Sequence, residues 1–199
     1  MVSYESAAYA SSLLSEKGFF SKYFLNVVLR YLNPEKGDRV LEVGCSRGTI
    51  VNKLQEYGID AYGIDINPES IKNGVAKNLS VMDATNLDFP NSSFDKVYSF
   101  HTIEHIPDLE KALREMTRVL KPGGKLLLIY PMEPIRGLFA LKSAILIYKN
   151  PLLARKIHIH KLNPKKLEKM AKELNLEVVE NRLPLFYVPQ YLTILRKTE

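Results

Sequence analysis

A doubly wound α/β fold, with a mostly parallel sheet covered by helices on both faces, is what this sequence predicts. Three observations carry that expectation. From residue 37 onward, short apolar and β-branched runs alternate with segments of helical periodicity. The run Lys125–Tyr130 is apolar almost throughout, as suits a central strand buried on both faces. A glycine-bearing loop, Val43-Gly44-Cys45-Ser46-Arg47-Gly48, joins the first strand directly to a helix.

The elements follow in order. A helix is expected near residues 19–32, with Phe20, Phe24, Val27, Val28 and Tyr31 on its inward face. Asn33-Pro34 ends it, and Glu35-Lys36-Gly37-Asp38 reads as a turn. Arg39–Val43 is the first strand, and Thr49–Tyr57 a helix with Ile50, Val51 and Leu54 inward. Ala61–Ile64 is the second strand. Asn67-Pro68-Glu69 opens a helix: Asn caps, Pro takes the first helical position and Glu favours the positive end. Leu79–Met82 and Phe94–Phe100 are the third and fourth strands. Asp108 caps a helix that turns Leu109, Ala112, Leu113, Met116 and Leu120 inward until Pro122-Gly123-Gly124 breaks it. Lys125–Tyr130 is the fifth strand. Asn163-Pro164 starts a last helix, and Leu176–Asn181 and Tyr191–Arg196 complete seven strands. The short link between those two predicts a hairpin, and so one antiparallel strand.

The chain has 199 residues, 46% hydrophobic and 25% charged, which suits one domain with an ample core. Its single cysteine, Cys45, excludes an internal disulfide and fits a reducing, cytoplasmic setting. The first residues lack the basic and apolar regions of a signal peptide. The net charge of +6 is local: residues 135–169 hold nine Lys/Arg against one acid, so the remainder is slightly acidic. Nothing there matches an RNA-binding motif, which disfavours a nucleic-acid partner.

The loop after the first strand suits an anionic group, because a helix N-terminus behind it presents unpaired N–H groups. A dinucleotide fingerprint starting at Gly44 would place glycines at positions 46 and 49, which are Ser46 and Thr49. A pyrophosphate therefore fits poorly, and a carboxylate remains open. Asp65 ends the second strand, 23 residues after Glu42, near the spacing at which an acid meets a ribose. Asp83 follows the third strand and suits an adenine amino group; a solvated turn is its simpler role. Cys45 reads as a small buried side chain.

These pieces together resemble the class I S-adenosylmethionine-dependent methyltransferases, in particular their ubiquinone/menaquinone-biosynthesis-like, small-molecule branch. Val40-Leu41-Glu42-Val43-Gly44-Cys45-Ser46-Arg47-Gly48 resembles the first motif of that family. Tyr62-Gly63-Ile64-Asp65 resembles the second, and Met82-Asp83-Ala84 the third. Phe94-Asp95-Lys96-Val97 and Arg118-Val119-Leu120-Lys121-Pro122-Gly123-Gly124 are similar to later ones. The resemblance implies a Rossmann-like, seven-stranded sheet and S-adenosylmethionine as cofactor, with no metal. It implies Glu42, Gly44, Cys45, Ser46 and Gly48 around the methionine part, and Asp65 and Ile66 at the ribose and adenine. Asp83 and Ala84 would meet the adenine edge, and Phe100 and His101 would lie beside the sulfonium. Ser46 departs from a frequent glycine. The implied acceptor is a small molecule.

His101-Thr102-Ile103-Glu104-His105 spells H-x-x-E-H, a zinc order that needs a long helix. Here it follows a strand and meets Pro107, so the histidines are candidates for a general base, or simply order the loop. Residues 132–161 read as a helical insertion, with Gly137–Tyr148 largely apolar and basic residues on both sides. A lid over an apolar acceptor, a peripheral membrane contact through 135–161, and a helix packed on the core all remain open. Residues 1–36, with Tyr4 and Tyr9, are expected to close over the cofactor as an N-terminal helical lid.

Overall fold

The computed structural model describes residues 19–132, 159–183, 185–186 and 188–198. The expected N-terminal closure through Tyr4 and Tyr9, and most of the 132–161 insertion, lie outside the described residues. The strands are β1 (Arg39–Val43), β2 (Asp60–Asp65), β3 (Leu79–Val81), β4 (Phe94–Phe100), β5 (Leu120–Pro131), β6 (Leu176–Arg182), β7 (Leu185–Phe186) and β8 (Val188–Lys197). The main sheet runs β3-β2-β1-β4-β5-β8-β6, with β7 paired to β8 at its side. β1 to β5 are parallel, and β8 lies antiparallel between β5 and β6. The single antiparallel strand read from the short final link is therefore present.

Alternation along the strands divides the core into two layers. Leu126, Leu128 and Tyr130 of β5 join Leu41, Val43 and Val97 on one face. Leu127 and Ile129 join Val40 and Tyr98 on the other. A strand whose successive residues are all buried has no polar face, which is why β5 reads as a continuous apolar run. The first layer is closed by α4 (Leu109–Val119) and α5 (Pro164–Lys172), and the second by α1 (Phe19–Val27) and α2 (Thr49–Glu56). A short α3 (Pro68–Lys72) follows β2.

The predicted caps form: Asn67 accepts from the Ser70 N–H, Asp108 from Lys111 and Asn163 from Lys166. Two details differ from the sequence reading. The buried stripe of the first helix is Leu25, Val27, Val28 and Leu32, while Phe24 and Tyr31 are only partly buried. α1 continues into a π-helical turn, Val28–Leu32, and Phe24 and Tyr31 pack against the same core cluster from its edge. α4 ends at Val119, before Pro122-Gly123-Gly124, so Leu120, expected on its inward face, belongs to the strand instead. β5 already begins at Leu120, opposite Phe94, and a register shift absorbs the irregularity.

Candidate active site

The strand order reverses direction between β1 and β4, the place in an open α/β sheet where the carboxyl ends of the strands bind ligands. Every candidate residue read from the sequence lies at or next to this edge of the sheet, apart from Glu42 just beneath it. Val43 of β1 is level with Ile64 of β2, and Asp65 with Val81 of β3.

The loop after β1 is made almost entirely of backbone conformation. Gly44, Ser46 and Gly48 all have positive φ, at 82°, 49° and 72°. The amides of Gly44 and Cys45 both donate to Ile64 O, at 2.8 and 2.9 Å. Gly44 is required for a reason that the sequence did not disclose. A Cβ there would stand 2.7 Å from Thr102 Cβ and closer still to its hydroxyl. The space beside Gly44 is thus filled by the protein's own β4 loop. Beneath the loop, Glu42 is buried and accepts from the Tyr98 hydroxyl at 3.1 Å. Burial raises the Tyr98 phenol well above its ordinary range and the Glu42 charge adds to this, so it stays a donor. Cys45 is buried, its thiol directed at Ser46 O at 3.7 Å.

Asp65 ties the first loop to the second. Its Oδ2 accepts from the Ser46 amide at 2.7 Å and its Oδ1 from the Asn67 amide at 2.9 Å. Burial raises its carboxyl above the usual range, and these two amides oppose the shift. A carboxylate offers about four acceptor positions, so each oxygen retains capacity for a further donor. Ile66 beside it is 42% exposed, a large apolar side chain left open at this edge. Asp83 is exposed and accepts from the Thr85 amide at 2.8 Å, the local turn that its simpler reading anticipated; Ala84 is half-buried next to it.

The loop after β4 is built differently. His101 has φ 51°, and its amide donates to Ile129 O at 2.9 Å. Ile103–His105 forms one 3₁₀ turn, so H-x-x-E-H never makes the long helix that its zinc-binding counterpart needs. Instead the turn folds both histidines around Glu104, which is 1% exposed. Glu104 Oε1 lies 3.6 Å from His101 Nδ1 and 3.8 Å from His105 Nε2. Burial alone would raise this carboxyl, but the His101 hydrogen bond and the two imidazole charges outweigh it and hold it at about 2. Its other oxygen, Oε2, is buried without a hydrogen-bond partner.

The second nitrogen of His101, Nε2, meets Gln190 Oε1 at 3.0 Å, and Gln190 Nε2 donates to the Tyr23 hydroxyl at 3.2 Å. Phe24 stacks on Phe100, with centroids 4.8 Å apart, and meets His101 edge-on at 5.8 Å. Both ring nitrogens of His101 therefore face acceptors, and it would act as a base only after the Gln190 amide turned away. Glu104 as a buried anchor, Gln190 and Tyr23 were missed as site residues. No spacing could have revealed Gln190, which is 89 residues from His101 and is brought there by antiparallel β8.

A family model described as a methyltransferase domain matches residues 18–181. Norajmaline N-methyltransferase of Rauvolfia serpentina is 35% identical over 121 residues, covering 53% of this chain and 41% of that protein. A ubiquinone biosynthesis O-methyltransferase of Xanthomonas oryzae is 32% identical over 162 residues, covering 74% of this chain and 66% of that protein. The chain thus spans less than half of the first relative and about two thirds of the second. A SAM-dependent methyltransferase from Archaeoglobus fulgidus superposes with a TM-score of 0.67 at 23% identity, covering 95% of this chain and 99% of that one. From the motifs, the sheet order and the matched family model, the chain belongs to the class I S-adenosylmethionine-dependent methyltransferases.

Proposed function

We propose that this protein moves a methyl group from S-adenosylmethionine to a small, apolar molecule. The observation that carries this reading is the Asp65 carboxylate. It joins the loop after β1 to the loop after β2, next to the strand-order reversal, while keeping acceptor capacity for ribose hydroxyls. The residues present fit the cofactor. Gly44, Cys45, Ser46 and Gly48, with Glu42 beneath, would surround the methionine part. Asp65 and Ile66 would hold the ribose and flank the adenine, Asp83 and Ala84 would meet its edge, and Phe100 and His101 would lie beside the sulfonium. The buried, unpartnered Ser46 hydroxyl supports this fit.

When bound, S-adenosylmethionine supplies a methyl group on a positively charged sulfur. The chain's own part is alignment and exclusion of water, effects worth about 7–11 kcal/mol in favourable cases. The Phe24–Phe100 stack and Tyr23 supply an aromatic wall for an apolar acceptor. Buried Glu104 fixes His101 in orientation, which suits a group that takes a proton from an acceptor hydroxyl once Gln190 releases it. The relatives named for norajmaline and for ubiquinone biosynthesis support a small-molecule acceptor. Among the described residues no helix is long and apolar enough to cross a membrane. The single cysteine agrees with a cytoplasmic site of action.

Calorimetric titration with S-adenosylmethionine, S-adenosylhomocysteine and NAD(H) tests the cofactor. Micromolar binding of the two adenosyl ligands is expected, weakened on the order of 100-fold in Asp65→Ala through loss of two charge-assisted hydrogen bonds. Binding of NAD(H) in their place would overturn the reading.

A further inference from the structure

Gln190 is a polar side chain at a position where the alternation of β8 places apolar ones. It shares a face with Leu192 and Ile194, which are buried in the second core layer, and it is itself 2% exposed. Its two ends are not interchangeable. The oxygen only accepts, and it lies 3.0 Å from His101 Nε2; the nitrogen only donates, and it meets the Tyr23 hydroxyl at 3.2 Å. Burial makes a mismatched end costly, because no water repairs it.

His101 answers to a second acceptor. Its Nδ1 faces Glu104 Oε1 at 3.6 Å, an ionised carboxylate that favours a proton on that nitrogen. The Gln190 oxygen asks for a proton on Nε2 as well, and a neutral imidazole carries only one. In the orientation seen, the ring is therefore an imidazolium. Turning the amide by half a revolution would bring its N–H to Nε2, which suits a neutral ring with a lone pair there. The Tyr23 hydroxyl serves either orientation, since a phenol both accepts and donates. Burial raises this phenol above its ordinary range, the Gln190 hydrogen bond opposing, so it stays uncharged.

We propose that Tyr23 is a positioning residue that sets, through the Gln190 amide, whether His101 Nε2 carries a proton. While Tyr23 accepts from the amide, His101 rests as a donor on both nitrogens. When Tyr23 donates instead, Nε2 holds the lone pair that a base needs. The titratable groups that the described residues bring to the ring are Glu104 and His105 from its own loop and, through Gln190, Tyr23 from α1; β8 brings the uncharged Gln190, and β5 the Ile129 carbonyl to the His101 amide. The use of this relay in catalysis rests on the base role given to His101 above. The relay itself belongs to the ligand-free chain, so its failure is distinguishable from failure of the cofactor reading.

The test follows the side-chain nitrogens of His101 by 15N nuclear magnetic resonance, between about pH 5 and 9, in the ligand-free protein. His101 is one of four histidines, and its signals are assigned by their absence in His101→Asn. Wild type should show both nitrogens protonated at pH 7. In Tyr23→Phe, which keeps the ring and removes the hydroxyl, the midpoint for loss of the second proton should fall by about one pH unit, a tenfold change in the protonation equilibrium. Gln190→Leu should lower it at least as far. The double variant should fall no further than Gln190→Leu alone, because Tyr23 acts only through the amide. A single proton on His101 in wild type at pH 7 would overturn the proposal, as would an unchanged midpoint in Tyr23→Phe. A further fall in the double variant would overturn it too, since Tyr23 would then act on His101 by another route.

Discussion

Two loops meet at the carboxyl edge of the sheet, after β1 and after β4, and each turns on a non-glycine residue in left-handed conformation, Ser46 at φ 49° and His101 at φ 51°. The first is held by its own backbone, by two glycines and by Asp65, 19 residues from Ser46. The second is held by side-chain and backbone groups brought from distant parts of the chain. Gln190 lies 89 residues from His101, and the residue 159 and 160 amides both donate to Glu104 O. The contrast matches a division of labour. On the function proposed above, the loop written in consecutive residues would meet the cofactor, and the loop assembled from distant residues would meet the acceptor.

The loops touch at Gly44 and Thr102, and a methyl group placed there is the strongest way to disturb both. Gly44→Ala combines a positive φ with overlap against Thr102 and should cost about 3–5 kcal/mol in urea unfolding. Replacing Thr102 with Gly in the same chain should recover the steric part and leave about 1–2 kcal/mol from the backbone. Failure of that rescue would mean that the loops do not bear on one another there.

Acid should expose the second loop selectively. The folded Glu104 carboxyl titrates at about 2, below its ordinary 4.5, so its stabilising contribution is present above the unfolded value and lost as pH falls through the folded one. At 1.36 kcal/mol per unit this is on the order of 3 kcal/mol for wild type relative to Glu104→Gln at pH 5, shrinking toward pH 2. Unfolding measured along that range would show the two proteins converging. A constant difference would remove the ionised carboxylate as the anchor.

The smallest effect sharpens the division most. Gln190→Leu breaks the link between His101 and Tyr23 and should cost about 1–2 kcal/mol in stability. Its affinity for S-adenosylhomocysteine should stay within about twofold by calorimetry. A tenfold loss would show that the two loops act as one.

The loops after β1 and β2 were legible because their determinants are short-range. A glycine loop between a strand and a helix, an acid at the next strand end and an Asn-Pro cap are patterns of a few residues, and each recurs in the structure where expected. The first helix was less legible: Val27 and Val28 are buried and Phe24 and Tyr31 pack against the core as expected, but Leu25 and Leu32, not singled out, are its more deeply buried residues. The histidines were recognised, but their working relations were not, since H-x-x-E-H reads alike on a long helix and on a single 3₁₀ turn. Only the turn lets one buried carboxylate face both rings.

By itself, then, the sequence determined the doubly wound order, the central apolar strand and the loop suited to an anionic group, because periodicity and backbone preference act over a turn or a strand. The tertiary structure decided why Gly44 must be glycine, which partner His101 finds on β8 and which hydroxyls, those of Ser46 and Ser70, are buried without a hydrogen bond. Those depend on contacts between residues far apart in the chain, and such contacts exist only after β4, β5 and β8 have paired and carried Thr102, Ile129 and Gln190 to one edge.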